Sequence, residues 1–385
     1  MRRHLAFGSH GGGAGTRVGL QLRGDHLALA RVSSVGLGHP GTHPRVEQLQ
    51  WLRVEQARRG EGVRRLANTG ALRDAQVRLV LAPGEYDLYQ LPAPNVPEEE
   101  LRDALRWQLR GTLPYAPEDA EIDFARIPAP LQQEDGSAQK PTVLVVAAPR
   151  ATVEELVALF AVAGVEVSAV DVPEFSQRNL AMLQPLVQNT SAQPTLAPHT
   201  RFGTLGQNAG CVAWLSFDQD ACLLTVQTGS AHPEASDLCF TRRIHIPGAS
   251  GNIPAMHGTP EADQTVNYLI ERIVTQVQRS LDVFERQSGQ PPVTLLTVGP
   301  HRYGIAIAQT LSDRLALVCH TFEPSTHLHI TQDIPAGDSP VWADAITALG
   351  VALRIEQSTA TQGEGFAGAL SRRWQILTQS RRRAA

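Results

Sequence analysis

One order of hydrophobic runs and turn residues occurs twice along this chain, and that duplication constrains the fold more than any single motif. In the first copy, period-two runs over 18–22 and 27–32 flank the hairpin signal Arg23-Gly24-Asp25-His26, and 46–54 offers a third strand. A strand over 77–81 follows, and further on strands at 142–148 and 165–170 alternate with helices. The first helix carries Val153, Leu156, Leu159 and Phe160 on one stripe and stops at Gly164, with Thr152 and Glu155 reading as a capping box; the second spans about 173–183. In the second copy three strands, 211–215, 221–227 and 238–246, lie in meander spacing. A long helix follows, capped by Thr259-Pro260, with Val266, Leu269, Ile270, Ile273, Val274, Val277, Leu281 and Phe284 along one face. A strand at 293–298, a helix at 303–311, a strand at 315–319 and a helix at 341–353 complete it. A strand meander followed by alternating helices and strands predicts an α/β layer in each half, a sheet covered by helices.

Between the strands at 77–81 and 142–148 sits a stretch with its own boundaries, residues 86–127. A short β-prone run ends at Pro92 and Pro94, Asn95 offers an N-cap, Pro97 fits a first helical turn, and Glu98, Glu99 and Glu100 place negative charge on the free N–H groups. Leu101, Ala104, Leu105, Gln108 and Leu109 then recur at helical spacing, and Gly111 and Pro114 end the helix before a strand at 121–127. Trp107 lies off that stripe, next to Arg106 in sequence and one turn from Asp103 and Arg110. The plainer reading packs it on a neighbouring strand under an arginine stem. The functional reading makes it an aromatic anchor for a partner. No paired acid and base accompanies it, so the stretch reads as a docking unit.

Composition narrows the chemistry. With 385 residues, 42% hydrophobic and 19% charged, the chain can bury two or three domain cores, and a net charge of −4 gives no general attraction for nucleic acid. Lys140 is the only lysine, so no phosphate-binding loop ending in Gly-Lys-Ser/Thr exists, and lysine-based covalent chemistry has one candidate in a linker-like segment. The cysteines, Cys211, Cys222, Cys239 and Cys319, form no Cys-x-x-Cys pair and read as reduced, buried thiols of a cytoplasmic protein. The first fifteen residues lack the apolar core of a signal peptide, and no run approaches the roughly 18 apolar residues of a membrane span.

Weaker signals have plainer explanations. His320, His327 and His329 would begin a metal site only with further ligands, and otherwise belong to an exposed loop. Gly8-Ser9-His10 and Gly248-Ala249-Ser250-Gly251 lack the strand-to-helix frame of a nucleophile elbow and read as flexible loops. The C-terminal arginines, Arg372, Arg373, Arg381, Arg382 and Arg383, surround Trp374, Ile376 and Leu377 as a solvated tail or as a contact for an anionic membrane surface. The expected organisation is a leader at 1–16, a first half at 17–187 with a subdomain at about 86–150, a linker at 188–208, a second half at 209–354 and a basic tail at 355–385.

The segment EEELRDALRWQLRGTLPYAPEDAEIDFARI, followed by PTVLVVAAPRATVEELVALFAVAGVEVSAVDVPEFSQRNLAML, resembles the PilM-type proteins of type IV pilus assembly. VDVPEFSQRNLAML and CFTRRIHIPG are closer still to the branch that serves MSHA pili, and SLDVFERQ, LLTVG and ALGVALR continue the likeness across about residues 17–354. The resemblance implies an actin-like, ribonuclease H-like duplicated fold of two halves around a cleft. In nucleotide-binding relatives each half opens with Asp-x-Gly, and a Gly-Gly turn after a late strand receives adenosine. Here the corresponding positions read Gln21-Leu22-Arg23, Ser216-Phe217-Asp218, and Gly299 followed by Pro300. Such losses remove carboxylates that hold Mg²⁺ and glycines that let backbone N–H groups approach phosphate. The resemblance therefore implies Ser216, Asp218 and Gly299 as degenerate nucleotide positions, no ATP or Mg²⁺ cofactor, no enzymatic activity and no metal. It implies a scaffold that holds the cytoplasmic N-terminal segment of a PilN-like or MshJ-like inner-membrane partner through Leu101, Arg106, Trp107 and Arg110, peripheral to the inner membrane, with self-association left open. The competing expectations are a working actin-like ATPase or kinase-like enzyme, and a GspL-like module of type II secretion that continues into a transmembrane helix.

Overall fold

The computed structural model describes residues 15–33, 43–128, 141–183, 210–228, 237–250, 260–331 and 340–354. The expected linker at 188–208, the tail at 355–385, Lys140, Thr259 and nearly all of the leader lie outside the described residues. In chain order the elements are β1 (Thr16–Arg23), β2 (His26–Ser33), β3 (Arg45–Arg53), α1 (Arg59–Asn68), β4 (Ala75–Val80), β5 (Asp87–Pro92), α2 (Glu98–Gln108), β6 (Ala120–Ile127), β7 (Thr142–Pro149), α3 (Arg150–Ala161), β8 (Val167–Asp171) and α4 (Pro173–Ala181). The second half adds β9 (Cys211–Phe217), β10 (Ala221–Gln227), β11 (Leu238–His245), α5 (Pro260–Ser288), β12 (Val293–Val298), α6 (Gly304–Leu315), β13 (Val318–Thr321), α7 (Pro324–His327), β14 (His329–Ile330) and α8 (Pro340–Ala352).

The duplication is visible in the strand order. The first sheet runs β14-β3-β2-β1-β4-β8 and the second β11-β10-β9-β12-β13. In each, an antiparallel meander of three strands is extended on the side of its first strand by two parallel strands. Apart from the short β14, the two sheets are topological copies, which is the actin-like plan. A third sheet, β5-β7-β6, is inserted between β4 and β8 of the first copy.

The halves exchange helices. From the first half, α4 packs on β9, β10 and β11, while α8, from the second, packs across β1, β2, β3 and β4. Helices α4 and α8 touch closely enough that a Cβ on Gly350 would lie 2.2 Å from the Ser176 carbonyl oxygen, and α8 lies so close to β1 that one on Gly19 would lie 1.9 Å from the Ala348 carbonyl oxygen. Glycine is required at both places because backbone, not a movable side chain, fills the space. Gln177 on α4 adds a buried polar bridge: its Nε2 donates to the carbonyls of Trp214 (2.6 Å) and Leu223 (3.0 Å). Asn179 Nδ2 donates to the Gly350 carbonyl at 3.0 Å.

Several local expectations are corrected. Residue 97 is the N-cap of α2 and gives no side-chain bond, so Asn95 is not the cap; the three glutamates do occupy the first turn. Helix α3 begins at Arg150 with Pro149 at its N-cap, which places Thr152 and Glu155 inside the helix and removes the capping box. Helix α6 runs on to Leu315, displacing the next strand to Val318. The histidines do not form a loop cluster. His327 is buried with its ring stacked on Phe322 at 5.4 Å, while His320 faces Thr297 at 3.2 Å and His329 meets His43 edge-on. Among the described residues no group of three or more His, Cys, Asp or Glu is placed to hold a metal ion, and no helix is long and apolar enough to cross a membrane.

Candidate functional site

Two places collect the residues singled out by the sequence. The first is the face of α2. Leu101, Leu105 and Leu109 are fully buried on Ile122, Phe124, Val143 and Val145 of the third sheet. Three leucines contribute roughly 1.5–3 kcal/mol each as an upper bound, which holds a helix too short to be stable alone. Two ion pairs fasten it further: Arg102 Nη2 lies 3.2 Å from Asp123 Oδ1, and Arg126 pairs with Glu98.

With the stripe turned inward, Trp107 points out and is 55% exposed. The Arg110 guanidinium sits over its ring at 5.2 Å from the centroid, and Arg106 pairs with Asp103. The expectation that Trp107 packs on a neighbouring strand is therefore corrected: the ring is mostly open to solvent and carries an arginine over its face, at a distance suited to a cation–π contact. Leu101 needs the opposite correction. At 1% exposure it belongs to the core under the helix and positions the surface rather than meeting a partner. Trp107 and Arg110 are the residues of the expected set that face outward together.

The second place is where the β1–β2 hairpin of one half meets the β9–β10 hairpin of the other. Arg23, at the end of β1, forms an ion pair with Asp218, just beyond β9. Arg243 on β11 approaches the other Asp218 oxygen at 3.6 Å and Glu174 Oε1 also at 3.6 Å. The Tyr86 hydroxyl, immediately before β5, donates to Glu174 Oε2 at 2.7 Å. Burial raises the Glu174 carboxyl above its ordinary range against the pull of Arg243 and Tyr86, and burial together with Glu174 keeps the Tyr86 phenol protonated. Burial works against the Arg243 cation, but Tyr86 and Glu174 beside it carry its pKa upward.

These residues do not fit Mg²⁺ or phosphate. Both Asp218 oxygens face a guanidinium, and Ser216 Oγ donates to Gln177 Oε1 at 2.7 Å. Gly299 donates its N–H to the Leu215 carbonyl at 2.8 Å, and a Cβ there would stand 3.1 Å from that same oxygen, so the glycine serves strand packing. Beyond it the His301 ring lies on Phe217 at 4.2 Å. Its Nδ1 accepts from Tyr303 N–H (3.1 Å) and its Nε2 faces the Ala249 carbonyl (2.9 Å), an arrangement open only to the neutral ring; burial lowers its pKa to about 4. The sequence singled out Ser216, Asp218 and Gly299 but missed Tyr86, Glu174, Arg243 and His301. Only their tertiary placement marks them.

Comparison with known proteins bears on the α2 face. Residues 88–197 match the family model described as type IV pilus assembly protein PilM. No curated protein matches the sequence. Among solved structures, a chain of a PilM-PilN type IV pilus biogenesis complex is similar over 88% of this chain and 97% of its own, at 19% identity and a TM-score of 0.60. The cytoplasmic domain of EpsL, an inner-membrane component of the type II secretion system of Vibrio cholerae, covers 74% of this chain and 81% of its own at 10% identity and a TM-score of 0.39. A Bacteroides thetaiotaomicron protein with actin-like ATPase fold and unknown function covers 82% and 93% at 7% identity and a TM-score of 0.43. The chain thus has an actin-like fold shared with a chain of the PilM-PilN complex, and α2, β6, β7 and all of β5 but Asp87 lie within the segment that matches PilM.

Proposed function

We propose that this protein is a non-enzymatic scaffold of a type IV pilus assembly platform that docks the N-terminal cytoplasmic segment of a PilN-like inner-membrane partner. The observation that carries the reading is that the PilM match at 88–197 includes α2 and its outward Trp107 and Arg110. A large rigid ring beside a cation supplies the kind of anchor on which interfaces concentrate their binding energy. The closer likeness of VDVPEFSQRNLAML and CFTRRIHIPG to the MSHA branch extends the proposal to an MshI-like role with an MshJ-like partner, on the cytoplasmic face of the inner membrane and held there through that partner.

The absence of nucleotide chemistry is part of the same proposal. Its support is the set of contacts that engage Asp218, Ser216 and Gly299 within the protein. Calorimetric titration with Mg²⁺-ATP tests it, with no saturable heat expected. A stoichiometric, Mg²⁺-dependent complex overturns the non-enzymatic half of the reading. Co-expression with the partner's cytoplasmic segment tests the other half, with co-purification expected and its absence contradicting the docking role.

A further inference from the structure

We propose that Arg23, Asp218, Arg243, Glu174 and Tyr86 form a latch by which the protein ties its two halves together at their first hairpins. Arg23 belongs to the first sheet and Asp218 to the second, and each sits where the first strand of its sheet enters the first hairpin, so the ion pair joins topologically equivalent points of the two halves. The first hairpin is itself braced. Arg59 Nη2 donates to the Gly24 carbonyl at 2.8 Å, and Arg53 Nε pairs with Asp25 at 2.8 Å, so Arg23 is presented from a fixed turn. On the other side the Asp218 carboxylate is fixed by the Gln219 N–H at 2.5 Å and by Arg243.

The chain of contacts does not end at the hairpins. Arg243 faces Glu174, on the helix exchanged between the halves, and Glu174 receives the hydroxyl of Tyr86, the residue before the edge strand β5 of the inserted sheet. First sheet, second sheet, exchanged helix and inserted sheet meet in one line of charged and hydrogen-bonded groups. Arg23 supplies a resident positive charge opposite Asp218. A partly buried network of this kind is coupled, so loss of one member loosens the others. The latch holds whether or not a pilus partner docks on α2.

Hydrogen exchange followed by mass spectrometry on the full chain tests the latch, with the wild type compared to Arg23→Ala, Asp218→Asn, the double variant and Arg23→Lys. The expected result is that each single change raises exchange in both hairpins, 23–26 and 218–221, including the one left unmutated, by about tenfold. The double variant is expected to match the worse single variant, and Arg23→Lys to recover part of the protection because it keeps the charge without the fork. Protection of β4 and β12 reports that all variants are folded. Unchanged exchange in the unmutated hairpin, or additive effects in the double variant, overturns the proposal.

Discussion

Asp123 gives a quantitative handle on how the inserted sheet is held. The residue lies on β6 at 2% exposure, with Oδ1 accepting from Arg102 Nη2 (3.2 Å) and from the Phe124 N–H (3.0 Å). Its Oδ2 has no hydrogen-bond partner among the described residues, and the side chain borders a cavity of about 20 Å³ shared with Asp171, Leu81, Val146 and Val153. Burial lifts its pKa to about 7, with Arg102, the Phe124 N–H and the more distant Arg354 pulling the other way. Because the native value stands above the unfolded one, the folded state binds the extra proton between roughly pH 4 and 7. Stability from this group is greatest at the acid end and is lost as pH rises through about 7. Between pH 5 and 8 the loss amounts to about 2.5 kcal/mol, an order-of-magnitude figure, since each pH unit below the native pKa carries about 1.4 kcal/mol. Asp123→Asn removes the ionisation and should flatten that component. Native-state hydrogen exchange of the β6 and β7 amides at pH 5 and 8, corrected for intrinsic rates, measures it locally in wild type and variant. Titrations common to both cancel in the difference. Stability curves that stay parallel to within about 0.5 kcal/mol would refute the assignment of a high native pKa to this carboxyl.

Other expectations follow from contacts elsewhere. Gly350→Ala places a methyl against the Ser176 carbonyl at 2.2 Å and should cost about 3 kcal/mol, at the upper end for overpacking because backbone must move; thermal denaturation reads it. His301 should remain neutral well below the ordinary imidazole range. Its native pKa of about 4 lies under the unfolded value, so the group lowers stability as pH falls from about 6.5 towards 4. Ring ¹⁵N shifts at pH 5.5 should report the neutral form, and a titration midpoint near 6.5 would contradict it.

Strong periodicity made much of this architecture legible. The stripe of α2, the long face of α5 and the two strand meanders were all read from residue spacing, because each side chain's burial is set by its own element. What failed depended on neighbours. Helix α1 escaped notice because RGEGVRRLAN has two glycines and only Val63 and Leu66 as buried large apolar residues; its stability comes from packing on α3. Asn95 and Thr152 looked like caps, but Pro97 and Pro149 hold those positions. The two-residue strand β14 exists only because β3 offers Arg45 and Val46 as partners. At the site, sequence marked Trp107 as off the stripe, and its exposure agrees. It had no means of showing that Arg23 pairs with Asp218, far along the chain in the other half. It also gave Leu101 to the partner, although a residue on the apolar stripe is spent on the core beneath the helix.

The docking claim rests most directly on one binding measurement. A peptide of the partner's N-terminal cytoplasmic segment is titrated calorimetrically into the wild-type chain and into Trp107→Ala, a substitution at an exposed position that leaves the core under α2 intact. The account predicts saturable one-to-one binding that weakens by about tenfold or more when the ring is removed, in the range of an interface anchor. Equal affinities for the two proteins, or no binding to the wild type, would contradict it.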